Sequence, residues 1–168
     1  SISTITDPGE FVTRFIENIE QSHFTAAMDM VSDDCEYDNV PITKVFGKDA
    51  MIAILSEFMA EATKIEWLIH HQVSSGDMEH GVVMNERTDR FEMDGRWIEL
   101  DIAGLFVVSE GKIALWRARD MLAASATRGR VRWSGGADVA AAVRPARGCS
   151  SRSSMSAGSR SGRPAPLS

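Results

Sequence analysis

The sequence predicts an α+β fold, in which helices from the N-terminal third pack on one face of a curved sheet. Up to about residue 62, apolar residues recur mostly at spacings of three and four, which is typical of amphipathic helices. From Lys64 onward apolar and polar residues alternate, and this period of two is typical of strands. Helices first and strands afterwards indicate an antiparallel meander covered by helices.

Three helices are predicted in the N-terminal part. The first begins after Asp7, because Asp7 can cap a helix, Pro8 suits its first position and Glu10 lies three residues after the cap. The second covers about residues 23–31 and the third about residues 49–62. Each helix places its apolar side chains on one stripe.

A short alternating segment, CEYDNV, lies between the second and third helices and predicts a strand. In a strand, Tyr37 and Asn39 point to the same side, because successive side chains alternate between the two faces. Pro41 and Gly47 mark a loop after this strand.

Four longer strands are predicted after the third helix. Asp94-Gly95 and Glu110-Gly111 predict tight hairpins between the later strands. Both faces of these strands are rich in apolar residues, so the sheet either packs helices outside or encloses a cavity. The strands are expected at residues 64–73, 80–92, 96–109 and 112–119.

Charge divides the chain into an acidic domain, residues 1–125, and a basic tail, residues 126–168. The domain has 10 basic and 23 acidic residues, whereas the tail has 8 Arg and 1 Asp. The tail is low in complexity and is expected to be disordered; it also resembles a GC-rich segment translated out of frame. The acidic domain argues against nucleic acid as a partner.

The sequence favours a cytoplasmic protein without a membrane span. No apolar run approaches the roughly 18 residues that a membrane helix needs. The two cysteines, Cys35 and Cys149, cannot form a disulfide framework, and this fits a reducing compartment.

Two pairs of polar residues are the candidates for chemistry. Arg87 and Asp89 share one face of a predicted strand, and Tyr37 and Asn39 share one face of another. For the charged pair, the alternative is a solvated network on the outer face of the sheet. Hydrophobicity alone does not decide between these interpretations.

The sequence contains no metal or cofactor motif, and we expect no cofactor. His70 and His71 are adjacent, so a regular strand would point them to opposite faces. They are therefore not expected to bind one metal ion together.

Three segments, EYDNVP, NERTDRF followed by DGR, and AGLFVVSEGKIALWR, resemble the limonene-1,2-epoxide hydrolase family in sequence, order and separation. The resemblance covers about residues 7–117. It implies a homodimer with the cone-shaped α+β barrel of the nuclear transport factor 2-like superfamily, whose curved mixed sheet surrounds a deep apolar pocket. Ketosteroid isomerases, polyketide cyclases and non-enzymatic binding modules share this fold.

The resemblance implies an epoxide hydrolase that adds water in one step to an apolar, terpenoid or cyclic epoxide. Asp89 would protonate the epoxide oxygen, and Arg87 would bridge two carboxylates. Tyr37 and Asn39 would hold the attacking water. A concerted opening needs such an acid and a base on opposite sides of the ring. The pocket would include Phe91, Leu100, Ile102, Trp116 and Ala118.

The pattern breaks at the second carboxylate, the base, which the family places in Trp-Arg-Asp. This chain reads LWRARDML, so Ala118 occupies that position. Asp120 lies two residues further, and in a regular strand it faces the same side about 6.5–7 Å away. A two-residue slip or bulge would let Asp120 act as the base. Without one, no base remains and hydrolysis is impaired.

Two other functions fit the same residues. An isomerase or cyclase would use Asp89 as base and Tyr37 as oxyanion donor, but Arg87 argues against it, because a neighbouring cation lowers a carboxyl pKa. A non-catalytic module that binds a small apolar ligand would explain Ala118.

Overall fold

Three helices and six strands make up the part of the chain that the computed structural model describes, residues 4–40 and 42–121. The predicted domain boundary at residue 125 and the predicted tail of residues 126–168 lie outside the described residues. In chain order the elements are α1 (Pro8–Glu20), α2 (Phe24–Asp29), β1 (Val31–Val40), β2 (Thr43–Phe46), α3 (Lys48–Glu61), β3 (Lys64–Gly76), β4 (His80–Met93), β5 (Arg96–Ser109) and β6 (Lys112–Asp120).

Helix α1 begins where the capping sequence predicts. The Asp7 side chain accepts a hydrogen bond of 2.8 Å from the Glu10 backbone N–H, which would otherwise lack an intrahelical partner. One stripe of the helix is buried against the sheet, and its Phe15 ring contacts the ring of Trp116 at a centroid distance of 5.2 Å. None of the helices in the described residues is long and apolar enough to cross a membrane.

The six strands form one curved sheet in the order β2-β1-β6-β5-β4-β3. Strands β3 to β6 form the expected antiparallel meander. The hairpins at Asp94-Gly95 and Glu110-Gly111 are confirmed, because all four residues have the positive φ that these tight turns require. The predicted α+β class, with helices packed on a curved mixed sheet, is therefore correct.

Two features of the sheet differ from the prediction based on periodicity. Residues Thr43–Phe46, expected to be loop, form strand β2 and pair with β1. Strand β1 also runs parallel to β6, so the sheet is not a simple antiparallel meander. The pairing of β1 with β6 joins residues about 79 positions apart, as for Asp38 and Arg117, and local alternation does not report such partners. Strand β2 is short, and a short segment gives little alternation to recognise.

A bulge in β3 corrects the prediction for the two adjacent histidines. The pairing of β3 with β4 shifts between Ile69 and His71. His70 consequently contacts the Thr88 hydroxyl and His71 contacts the Glu86 carboxylate, and both partners lie on the same face of β4. Because the bulge inserts an extra residue, the two imidazoles share one side of the sheet instead of alternating.

The core lies between the helices and one face of the sheet, called the inner face below. Strand β4 shows this arrangement, since its odd-numbered residues from Gly81 to Phe91 are buried and its even-numbered ones are more exposed. Helix α3 covers another part of the inner face, where Phe58 contacts Phe91 at a centroid distance of 4.4 Å. Side chains at these odd positions of β4 are therefore removed from water when the chain folds.

Candidate active site

Strand β4 places three polar side chains in succession on the inner face. Asn85, Arg87 and Asp89 are 6%, 1% and 5% exposed. They are buried because they occupy the odd positions of β4, between the apolar Val83 and Phe91. The alternative of a solvated network on the outer face is therefore wrong for Arg87 and Asp89.

Arg87 and Asp89 form an ion pair with two hydrogen bonds. Arg87 Nε donates to Asp89 Oδ1 at 2.7 Å, and Arg87 Nη2 donates to Asp89 Oδ2 at 3.2 Å. Two parallel charge-assisted bonds fix the plane of the guanidinium relative to the carboxylate. Because Arg87 and Asp89 are two positions apart on one strand, their side chains share a face and their charged groups can meet.

The pair lies among aromatic rings. Arg87 Cζ is 5.2 Å from the centroid of the Trp67 ring and 6.0 Å from that of Phe106. Rings at these distances attract the cation and also exclude water. Burial raises the pKa of Asp89 above the usual carboxyl range, and the charge and hydrogen bonds of Arg87 offset only part of this increase. A raised pKa makes Asp89 a better proton donor near neutral pH.

Asn85 completes the contacts of the guanidinium, and Gly104 leaves space for them. Arg87 Nη1 donates to Asn85 Oδ1 at 2.9 Å. A Cβ atom at position 104 would overlap both Arg87 Nη1 and Asn85 Oδ1. Neither residue was predicted from the sequence to belong to the site. For Asn85 a signal was present, because it precedes Arg87 by two positions on the same strand.

Tyr37 and Asn39 approach the site from β1 and share a face, as predicted. The parallel pairing places Tyr37 beside Trp116 and Asn39 beside Ala118. Burial raises the pKa of Tyr37 to about 12, while a hydrogen bond from the Asn39 side chain and the charge of Arg87 lower it in part. The Tyr37 hydroxyl therefore stays neutral at physiological pH and can position a ligand through hydrogen bonds without acting as a base.

Ala118 lies in the same row of cross-strand neighbours as the polar residues. Adjacent strands place Asn39, Ala118, Gly104 and Asn85 side by side on the inner face. Ala118 is 7% exposed. Cross-strand neighbours have Cβ atoms about 4.5–5.5 Å apart. Because the Arg87 guanidinium covers Gly104, it is within reach of a longer side chain at position 118.

Asp120 lies one row further along β6. It is the cross-strand neighbour of Ile102, which is in turn the neighbour of Arg87. Its side chain therefore points to the inner face, as expected for a residue two positions after Ala118. Two strand spacings, roughly 9–10 Å, separate its backbone from that of Arg87. The pairing of β5 with β6 is regular from Leu105 to Ile102, so no slip moves Asp120 to the position of Ala118.

The predicted pocket residues all contribute to the inner face. Phe91, Ile102 and Trp116 are buried, as is Ala118, and Leu100 is partly buried next to Asp89. Two donors nearby have no acceptor among the residues that the structure describes. They are the indole nitrogens of Trp67 and Trp116, whose rings are 5.8 Å apart. Buried donors are nearly always hydrogen-bonded, so these indoles can bind an oxygen-bearing ligand or water.

Chemically, the arrangement combines one buried carboxyl group, one cation that holds it, and a tyrosine–asparagine pair. The row through Ala118 contains no carboxylate. The site can therefore donate a proton and hold polar ligands. It has no general base at the position beside Asn39.

Comparison with known proteins identifies relatives over the same region. Residues 6–125 match the model of the limonene-1,2-epoxide hydrolase catalytic domain. The epoxide hydrolase EphG of Mycobacterium tuberculosis (strain ATCC 25618 / H37Rv) is 26% identical over 106 residues, which are 63% of this chain and 68% of that protein.

Solved structures share the fold at lower identity. An LEH-like epoxide hydrolase of M. tuberculosis has a TM-score of 0.58 at 24% identity, covering 66% of this chain and 79% of that one. A protein of Catenulispora acidiphila with a ketosteroid isomerase-like fold, solved with trimethylamine, has a TM-score of 0.59 at 17% identity, covering 70% and 88%. These two likenesses show a cone-shaped, nuclear transport factor 2-like fold.

Proposed function

Because the chain belongs to the limonene-1,2-epoxide hydrolase family, we propose that it adds water to an apolar epoxide and releases a vicinal diol. The buried Arg87–Asp89 pair, which faces the Tyr37–Asn39 pair across the inner face, carries this proposal. The buried apolar side chains near this pair, among them Phe91, Ile102 and Trp116, favour an apolar substrate such as a terpenoid or cyclic epoxide.

Each polar residue has a role that matches its surroundings. Asp89, with its raised pKa, donates its proton to the epoxide oxygen as the carbon–oxygen bond breaks. Arg87 holds the carboxyl group and stabilises the anion that forms when the proton leaves. Tyr37 and Asn39 orient the water whose oxygen bonds to the ring carbon. Water is the only co-reactant, and no covalent intermediate forms.

In each turnover the attacking water loses a proton and Asp89 regains one. Ala118 cannot accept the proton from the attacking water, so a second water molecule has to carry it away. General-base catalysis typically contributes 10²–10⁴-fold. We therefore expect this chain to hydrolyse epoxides slowly while still binding them. Asp120 remains the alternative base, since it faces the same side of the sheet. It is the weaker candidate because it lies one row away from Asn39, which would hold the water.

A non-catalytic binding module is the second candidate function, and Ala118 is the observation that favours it. The indole donors of Trp67 and Trp116 would then hold an oxygen-bearing apolar ligand without any reaction. An isomerase using Asp89 as base is less well supported, because Arg87 donates hydrogen bonds to both oxygens of that carboxylate and offsets part of the rise in its pKa that burial causes.

We further propose that the protein is a cytoplasmic homodimer. The outer face of β3 and β4 exposes Val73, Val82 and Met84, and Val73 and Met84 are cross-strand neighbours. A second copy of the chain would remove this apolar surface from water. The described cysteine, Cys35, is free and buried, which suits a reducing compartment.

The test is incubation with a panel of terpenoid and cyclic epoxides in ¹⁸O-labelled water. We expect a diol that contains one labelled oxygen, formed slowly. The Asp89→Asn variant should form none while its circular dichroism spectrum stays unchanged. An unlabelled isomer as product would favour an isomerase, and tight binding without any product would favour the binding module. Full activity of Asp89→Asn would disprove the role of Asp89 as the acid.

A further inference from the structure

A chain of side-chain hydrogen bonds connects helix α1 to Arg87. Gln72 Nε2 donates to the Gly9 carbonyl and to the Thr13 hydroxyl, both at 3.0 Å. Asn85 Nδ2 donates to Gln72 Oε1 at 3.2 Å, and Asn85 Oδ1 accepts from Arg87 Nη1 at 2.9 Å. Three elements, α1, β3 and β4, are thus linked through these bonds to one guanidinium.

The contact of Gln72 with helix α1 determines which group donates and which accepts in each of these bonds. Gln72 must present its NH₂ group to α1, because a carbonyl oxygen such as that of Gly9 can only accept. Its Oε1 then faces Asn85, which must present an NH₂ group in return. The only orientation left for Asn85 gives its oxygen to Arg87.

We propose that Asn85, oriented by Gln72, is a positioning residue for Arg87. This inference rests on the proposed function for its kinetic consequences. Asp89 holds Nε and Nη2 from one side, and Asn85 holds Nη1 from the other. The guanidinium is thereby kept over Gly104, the cross-strand neighbour of Ala118.

Because the Asn85 side chain is uncharged, its hydrogen bond to Arg87 does not depend on the protonation state of Asp89. During a catalytic cycle Asp89 alternates between neutral and anionic forms, and a guanidinium held by Asp89 alone would move with that change. The amide oxygen of Asn85 does not titrate, so its bond to Nη1 is the same in both states. Arg87 therefore keeps one position while Asp89 loses and regains its proton. A displacement of about 1 Å at such a group can reduce a rate roughly 100-fold.

The kinetic test compares Asn85→Leu with the matched variant Thr88→Val. Thr88 also lies on β4 and donates to Asp101 at 3.0 Å, but on the outer face. We expect Asn85→Leu to lower kcat about 10–100-fold with KM changed less than about 2-fold. The Thr88→Val variant should keep both parameters. Gln72→Met, which frees the Asn85 amide to rotate, should cause a smaller loss of kcat than Asn85→Leu. Equal kcat values for Asn85→Leu and Thr88→Val would overturn the proposal.

A urea-unfolding cycle tests the positioning claim without requiring activity. It compares Asn85→Leu, Arg87→Met and the double variant, with Thr88→Val and Arg87→Met as the control pair. If Asn85 acts through Arg87, the free energy of unfolding falls less in the double variant than the sum of its decreases in the two single variants. In the control pair the two decreases are additive. Additive losses for Asn85 and Arg87 would overturn the proposal.

If the unmodified chain makes no diol, the proposed function fails, and this cycle alone decides the positioning role. If Asn85→Leu does not fold, Gln72→Met replaces it in both tests.

Discussion

Replacing Ala118 by aspartate would place a carboxylate beside Arg87 at a position where the chain has only a methyl group. The cross-strand neighbour of Ala118 is Gly104, and Arg87 Nη1 occupies the space above that glycine. Neighbouring Cβ positions are about 4.5–5.5 Å apart. An aspartate oxygen extends beyond its Cβ, so it can come within hydrogen-bond distance of Nη1. Asn39, on the other side, would hold the water that this carboxylate deprotonates.

The expected gain in rate follows from the general base that the unmodified chain lacks at position 118. A general base is typically worth 10²–10⁴-fold, which corresponds to about 3–5 kcal/mol of the activation barrier. The introduced negative charge also disfavours ionisation of Asp89, so the acid should remain protonated at higher pH. Burying a carboxylate costs free energy, but the adjacent guanidinium limits that cost. We therefore expect a large gain in kcat with a small change in the free energy of unfolding.

The assay is diol formation from one epoxide, measured for the unmodified chain, Ala118→Asp, Ala118→Asn and Asp120→Asn. The Ala118→Asn variant has nearly the size of Ala118→Asp but cannot accept a proton as a carboxylate does, so it should gain nothing. If Ala118→Asn and Ala118→Asp behave alike, position 118 does not supply a base. If the unmodified chain is fully active and Asp120→Asn abolishes this activity, Asp120 is the base and the reasoning about Ala118 is refuted.

Three further predictions concern the same site and the outer face. Gly104→Ala should displace Arg87, lowering the diol-forming rate and reducing the free energy of unfolding by roughly 1–3 kcal/mol, as overpacking usually does; a denaturant titration showing unchanged stability would contradict the close approach. Because the pKa of Asp89 is raised and its protonated form is the acid, kcat/KM should fall as pH rises through that pKa, and Ala118→Asp should move this decrease to higher pH; a rate that rises over the same range would instead indicate Asp89 as a base. Met84→Glu should shift the sedimentation of the proposed dimer to that of a monomer while the fold is retained, and an unchanged mass would exclude this face as the interface.

Much of the fold could be predicted because it depends on local patterns. Capping at Asp7 and the turns at Asp94-Gly95 and Glu110-Gly111 involve residues that are adjacent in sequence, and the structure places them as expected. Alternation along β4 likewise predicted that Arg87 and Asp89 share a face. It did not predict which face, because the two sides of that strand are similar in polarity.

The remainder of the site depends on contacts between distant residues. Gly104 matters because Arg87 covers it, and Asn85 matters because Gln72 orients it. Neither relation leaves a pattern in a single sequence. The histidine prediction failed for a related reason, since the bulge after Ile69 interrupts the alternation on which it relied. The roles of Tyr37, Asn39, Asp89 and Asp120 in catalysis remain predictions.

The parallel pairing of β1 with β6 determines when the site can form during folding. Tyr37 and Asn39 meet Trp116 and Ala118 across a long stretch of chain, and a nearby contact, that of Asp38 with Arg117, spans 79 residues. Closing such a loop costs entropy before any contact offsets it, and folds rich in distant pairings fold in roughly milliseconds to seconds. The hairpins β3–β4 and β4–β5, by contrast, join neighbouring segments and can assemble Arg87, Asp89 and Asn85 early. The acid and its cation can therefore be in place before the residues that hold the water, which join them only when β6 docks against β1.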